Sequence, residues 1–316
     1  MNDKNIKKNS QFKRWVKVSF FIVLAMALIQ ACGAPKIPEG ARIIEDTPTK
    51  TIPTKTPYVT ATVPGGTSLT ATAEALQTHE GAVRFMSYNI QEGAQGKLPD
   101  ITNILKAYNA DVLAIQEADG WGADDFAIAK QVASDLGMEY VYCQADSASV
   151  DKNGNTYDVV LFSRLQIKSS ETYSDVSNCL IRAEVVTASG ASLQVFSTQI
   201  NPDFDVAGCK NVEGIVNAMK PYIDGQAILM GDMTIPPPGV IMGYSDSEIA
   251  CPPILEAAGL TFFADVSQID HMWVTKPMLD VKSYELPKVA AEPFLPKSVM
   301  RNISDHAPLV VDFYFP

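Results

Sequence analysis

Between residues 81 and 316 the chain is built of short apolar runs, and several of them end on a polar residue of catalytic type. Val83-Arg84-Phe85-Met86-Ser87-Tyr88 stops at Asn89, Asp111-Val112-Leu113-Ala114-Ile115-Gln116 at Glu117, and Ala227-Ile228-Leu229-Met230-Gly231 at Asp232. Asp305 and His306 introduce a run over residues 309–313, and Asp270 lies inside another over residues 268–274. Runs of this length bounded by turn residues read as β-strands. Further strands are expected over residues 139–143, 158–163, 180–186 and 193–198. Helical spacing is rarer: Ile101, Ile104 and Leu105; Phe126 to Leu136 with Gly137 as the stop; residues 206–223 and 254–259. Many strands with few helices describe two sheets packed together, with helices on their outer faces. A buried carboxylate is costly unless it is paired or bound to a cation. Several at strand ends therefore imply one shared pocket, with the hard oxygen donors that suit Mg²⁺ or Mn²⁺.

The N-terminal segment has a different character. Lys4, Lys7, Lys8, Lys13, Arg14 and Lys17 precede an uncharged, mostly apolar run over residues 18–29. That run is too short to span a bilayer comfortably and has the pattern of an export signal. It leads to Gln30-Ala31-Cys32-Gly33, which resembles a bacterial lipoprotein box with Cys32 as the lipidated N-terminus, although Gln30 replaces the usual small residue. Residues 1–32 are expected to be the signal. Residues 33–80, rich in Thr and Pro and without apolar periodicity, are expected to be a disordered tether to the outer face of the cell membrane. Four cysteines remain, Cys143, Cys179, Cys209 and Cys251, an even set that permits two disulfides in any of three pairings.

Residues 81–316 carry 15 Lys and Arg against 30 Asp and Glu, and no basic residue occurs from position 221 to 275. Nucleic acid is gripped through a basic stripe, so this balance argues against a nucleic-acid partner. A small phosphate ester or a lipid head group, approached with a cation between, remains compatible.

Met86-Ser87-Tyr88-Asn89-Ile90, Ala114-Ile115-Gln116-Glu117, Leu229-Met230-Gly231-Asp232, Gln268-Ile269-Asp270-His271 and Ser304-Asp305-His306-Ala307-Pro308-Leu309 resemble, in order, the motifs of the endonuclease/exonuclease/phosphatase superfamily. Arg164 after Leu161-Phe162-Ser163 resembles another of its strand ends. The resemblance implies a four-layered α/β sandwich of two packed, mostly antiparallel sheets, and metal-dependent hydrolysis of a phosphate ester. It implies Glu117 as principal metal ligand, with Asp305 beside the metal and Asn89 positioning metal and phosphate. It further implies that Asp232 aligns the attacking water and that His306 contacts the phosphate, its tautomer set by Asp270. Arg164 and Asn201 are expected to bind substrate. His271, on the opposite strand face from Asp270, is expected to be structural, and His79 has no evident partner. Two positions depart from the pattern. Gln199 stands where the superfamily carries a histidine and Thr234 where it carries an asparagine. Both can still hydrogen-bond a phosphate, but Gln199 cannot relay a proton and Thr234 offers a single donor. The sequence therefore supports an exported phosphoesterase, or else a relative that binds a phosphorylated ligand without turnover.

Overall fold

Period-two alternation builds both sheets. In β3 (Ala82–Asn89) Val83 and Phe85 enter the core between the sheets, while Met86 and Tyr88 face the covering helices. The computed structural model describes residues 60–62, 68–70, 81–145, 156–200, 209–266, 268–285 and 303–315. The expected signal and Cys32 lie outside these residues, as does His79. Within the expected tether, β1 (Thr60–Thr62) pairs antiparallel with β2 (Ser68–Thr70).

After β3 come α1 (Leu98–Tyr108), β4 (Val112–Gln116), α2 (Ala123–Leu136), β5 (Glu139–Cys143), β6 (Val159–Ser163), β7 (Gln166–Tyr173), β8 (Cys179–Val186) and β9 (Ser192–Gln199). Then follow α3 (Lys210–Met219), β10 (Ala227–Asp232), α4 (Pro252–Ala257), β11 (Leu260–Val266), β12 (Asp270–Thr275), β13 (Lys282–Glu285) and β14 (Leu309–Tyr314). One six-stranded sheet has the order β13-β14-β3-β4-β6-β5 and the other β11-β12-β10-β9-β8-β7. In each, only the middle pair is parallel, β3 with β4 and β9 with β10. All other neighbours are antiparallel.

Three apolar layers separate four structural ones. Phe85, Val195, Met230 and Val311 lie between the sheets. Ile101, Leu105, Val132 and Leu136 pack α1 and α2 on the first sheet, and Val212, Ile215 and Leu255 pack α3 and α4 on the second. This is the expected sandwich. Left-handed Asn109 and Gly137 cap α1 and α2, the conformation that these residues adopt at lowest cost. Of the three cysteine pairings, the fold selects Cys143–Cys179 and Cys209–Cys251. The first joins β5 of one sheet to β8 of the other. Among the described residues no helix is long and apolar enough to cross a membrane.

Candidate active site

Because each middle pair is parallel, four strands deliver their C-terminal ends to one rim. Asn89 ends β3, Gln199 ends β9 and Asp232 ends β10. Asp270 begins the antiparallel β12 directly opposite Asp232, and Gln199 is Asp232's partner on the other side. Alternation places Asn89, Gln199, Asp232 and Asp270 on the inner faces of the facing sheets, where all four are buried.

Glu117 reaches the site in another way. Gln116 is the register partner of Asn89 and occupies the inner face of β4, so continued extension would turn Glu117 toward the helices. Instead Glu117 adopts φ 56°, and its Oε1 accepts a 2.7 Å hydrogen bond from Asn89 Nδ2. The backbone N–H of Glu92 donates to its Oε2 at 2.9 Å. The 92–94 turn that supplies this donor packs tightly: a Cβ on Gly93 (φ 67°) would lie 2.3 Å from the Asp119 carbonyl oxygen. Beyond Glu117 the chain is pinned from β6. Ala118 N–H donates to Asp158 O, Asp158 N–H donates to Asp119 Oδ1, and the Tyr142 hydroxyl donates to the Asp158 carboxylate.

Asp232 is the hub. Its Oδ2 accepts from Asn89 Nδ2 at 3.0 Å and Gln199 Nε2 at 2.9 Å. Its Oδ1 accepts from the Thr234 N–H at 3.0 Å and lies 3.2 Å from the Thr234 hydroxyl. That hydroxyl is also 3.1 Å from the Ile200 carbonyl oxygen. A hydroxyl has one proton, so Thr234 spends it on Ile200 or on Asp232 and keeps none for a substrate. Gly231 lets β10 approach β9 just before the hub. It has φ 152°, and a Cβ there would meet the Thr198 carbonyl oxygen at 2.0 Å.

His306 is held by its own turn. Ser304 Oγ donates to Asn89 O at 2.8 Å and accepts from the His306 N–H at 3.1 Å. Nδ1 of His306 sits 2.8 Å from Asp270 Oδ2, leaving Nε2 to face the site, 3.9 Å from Asp232 Oδ2. Burial alone would lower the pKa of this imidazole. The Asp270 hydrogen bond and charge, with Asp232 and Asp305, outweigh burial and raise it to about 9. At neutral pH His306 is thus a cation with a free Nε2–H donor. The Glu117 carboxyl moves up, chiefly through desolvation, against the pull of the Asn89 and Glu92 hydrogen bonds.

Glu117, Asp232 and His306 each offer a ligand atom, and these atoms lie within 4.8 Å of one another. The two carboxylates fit a divalent cation, which would offset the cost of burying the Glu117 charge, and the protonated His306 stands beside them as a donor. Asp305, expected beside the metal, is not in this group. Its side chain is 62% exposed at the rim, with Oδ1 3.9 Å from His306 Nε2.

Arg164 is a correction. β6 runs antiparallel to β4 with Ser163 opposite Val112, so the end of β6 lies at the beginning of β4, away from Glu117. There Arg164 Nη1 donates to Ala110 O at 2.6 Å and stands 4.0 Å from Asp111 Oδ1. It braces the start of β4 and does not bind substrate at this rim. Asn201 lies outside the described residues. His271 is buried against Phe262 and Trp273, on the other face from Asp270. Sequence reasoning missed the Glu92 N–H and the bridging role of Ser304. Ser304 carried a usable signal, because a serine two residues before a histidine readily forms a side-chain-to-backbone turn. A backbone donor carries none.

A family model described as Endonuclease/Exonuclease/phosphatase family matches residues 86–306. No curated protein matches the chain. Among solved structures it is similar to an AP endonuclease from Archaeoglobus fulgidus, with TM-score 0.54 and 16% identity over 74% of this chain and 100% of that one. It is similar to the human Nocturnin catalytic domain with bound sulfate, with TM-score 0.52 and 18% identity over 75% and 94%. It is also similar to the Neisseria 3′ phosphatase NExo bound to a product DNA hairpin, with TM-score 0.52 and 17% identity over 74% and 100%. At these identities the likeness to solved structures is one of fold.

Proposed function

The chain belongs to the endonuclease/exonuclease/phosphatase family, hydrolases that act on phosphoester bonds, and from that premise we propose an exported, lipid-anchored phosphoesterase that acts on a small or lipid-borne phosphate ester. The observation that carries this reading is the convergence of Asn89, Glu117, Asp232, Asp270 and His306, from both sheets, on one rim. The carboxylates of Glu117 and Asp232 would hold the cation, Mg²⁺ or Mn²⁺, and the Nε2–H of His306 is left for the phosphate. When bound the cation would withdraw charge from the phosphoryl oxygens.

The protein's own residues account for the rest. The amides of Asn89 and Gln199, with the Thr234 N–H, keep Asp232 a fixed acceptor, placed to align a water. The imidazolium of His306, fixed by Asp270, stabilises the charge that develops on phosphorus-bound oxygen. Water oxygen joins phosphorus as the water gives up a proton toward the Asp232 carboxylate, one ester P–O bond breaks, and the departing oxygen takes up one proton, so that none is gained or lost overall. The acidic balance of residues 81–316 disfavours a nucleic-acid backbone as substrate, although two of the structurally similar proteins carry DNA-directed names. The basic, apolar and cysteine pattern of residues 4–32 supports the localisation in this reading.

A second reading is favoured by one observation, the use of Thr234's only proton within the protein. In that reading the site binds a phosphorylated ligand without turnover. One assay separates the two. The full chain is incubated with bis(p-nitrophenyl) phosphate and p-nitrophenyl phosphate, with and without Mg²⁺. Turnover that is lost with chelator and in His306→Ala supports the hydrolase. No turnover, together with calorimetric Mg²⁺ binding that disappears in Glu117→Ala, supports the binding protein. Turnover that survives both chelator and His306→Ala would sink both readings of the site.

A further inference from the structure

Among the described residues three large apolar side chains are conspicuously exposed: Ile241 at 64%, Met242 at 87% and Leu279 at 46%. Leu279 follows the far end of β12, the end opposite Asp270. Ile241 and Met242 are adjacent, and their loop leaves β10 at Asp232 itself, nine positions earlier. Scattered exposed apolar residues need no explanation. This pair is different because the chain is built to present it. Pro236 and Pro237 are buried at the base of the loop. Val240 N–H closes a turn onto Pro237 O at 3.1 Å, and Gly239 (φ 80°) and Gly243 (φ 90°) take the left-handed positions on either side of the apex. Beyond the apex, Ser245 and Glu248 form a reciprocal capping box, and Cys251 is tied to Cys209. Both legs are therefore fixed, and the two apolar side chains stand at the tip.

The surrounding charge selects what the tip can meet. No Lys or Arg occurs between positions 221 and 275, while exposed Asp246 and half-buried Glu248 adjoin the loop. Anionic membranes are held by basic side chains beside the inserted apolar ones, and the segment that carries the tip supplies none between positions 221 and 275. The same lack of basic residues disfavours nucleic acid at the tip. A surface of zwitterionic head groups offers apolar depth without net negative charge. A membrane partner also agrees with the basic, apolar and cysteine pattern of residues 4–32.

We propose that the Ile241–Met242 apex docks on a zwitterionic phospholipid surface and brings a head-group phosphodiester to the Asp232 rim. The substrate half of this rests on the hydrolase reading above. The reaction would add water to the head-group phosphorus and break one P–O ester bond, leaving a phosphomonoester and an alcohol.

The test uses the full chain carrying Cys32→Ser, which removes the one cysteine outside the two disulfides. Met242→Cys, or Leu279→Cys as the control, then takes an environment-sensitive fluorophore. Phosphatidylcholine vesicles are expected to shift the emission of the label at 242 to the blue and leave the label at 279 unchanged. Phosphatidylglycerol vesicles should act more weakly, and Ile241→Ser should raise the vesicle concentration needed by about tenfold. No shift with phosphatidylcholine, an equal shift at 279, or equal binding to phosphatidylglycerol would overturn the docking claim. A shift that grows with protein concentration in the absence of vesicles would overturn it too, because a second copy would then cover the tip. Hydrolysis is followed on the unlabelled chain. Ile241→Ser with Met242→Ser should lower turnover of vesicular phosphatidylcholine about tenfold or more and leave bis(p-nitrophenyl) phosphate unaffected. A docked apex with turnover of the soluble ester and none of phosphatidylcholine overturns the lipid substrate. A docked apex with no turnover of either ester overturns the hydrolase reading and leaves the docking surface standing.

Discussion

At the scale of single residues, two positions tie backbone and side-chain chemistry to measurable outcomes. Thr234 has φ 51°, a left-handed conformation that β-branched residues adopt at a cost of about 1–2 kcal/mol and asparagine tolerates. Thr234→Asn is therefore expected to raise thermal stability by about 1 kcal/mol. If the hydrolase reading holds, it should also raise turnover, since an amide has a second donor proton to offer. Calorimetric melting and the soluble-ester assay would read both effects, and a lower melting temperature would refute the strain argument. His271 behaves differently. Burial pulls its imidazole down to about 4, against the pull of the Gln268 carbonyl and of Asp265 and Asp232. The unfolded chain takes up this proton near the ordinary value of 6.5, the folded chain only near 4. The stabilisation is thus complete above that ordinary value and drains away as pH falls through the window down to about 4, on the order of 3 kcal/mol in all. Urea melts across that window should show the decline, and His271→Phe should flatten it.

At the scale of elements, the contacts between neighbouring strands decide what can change. Gly231 lies directly against the backbone of β9, with Thr198 as its register partner. A methyl group there would sit 2.0 Å from the Thr198 carbonyl oxygen, and the obstacle is backbone, which cannot rotate aside. Gly231→Ala should cost about 3 kcal/mol or more and displace Asp232 from Gln199. Loss of turnover exceeding the loss of folded protein would show that second effect. On the other sheet, Arg84 of β3 meets Asp312 of β14 in a buried two-point pair, Nε to Oδ1 at 2.8 Å and Nη2 to Oδ2 at 2.9 Å. A third guanidinium nitrogen donates to Tyr108 O at the end of α1. Asp312→Ala leaves that guanidinium buried without its carboxylate and should cost about 3–5 kcal/mol. A loss below about 1 kcal/mol in denaturant unfolding would show that the pair is solvated.

At the scale of the whole molecule, the sandwich is held by its inter-sheet core and by one covalent strut across it. Cys143–Cys179 joins the sheets next to the rim, where Cys179 is the register partner of Gln199. Replacing both cysteines by serine should lower stability by about 2–4 kcal/mol. Cys209–Cys251 anchors the base of the Ile241 loop on α3 and lies outside that core. Its removal should spare the core and loosen the loop, so that hydrogen exchange would rise over residues 235–250 and stay unchanged in β3, β4, β9 and β10.

The sequence by itself determined which segments are strands wherever burial on one or both faces wrote an apolar pattern, as in β3, β4, β6 and β10. It was silent on β7, whose edge position leaves most of its side chains partly or fully exposed, and on β11 and β13, where no such pattern stood out. The polar residues at strand ends were visible as a set because apolar runs cannot hide them. Their assembly was decided only in three dimensions. One parallel pair at the middle of each sheet sends Asn89, Gln199 and Asp232 to a common rim, and strand pairing is a long-range choice that local pattern does not encode. The same logic removed Arg164: its strand runs the other way, so an identical-looking strand end emerges at the wrong edge. Glu117 shows the limit most plainly. Alternation assigns it to the helix face, and a single left-handed backbone angle turns its carboxylate into the site.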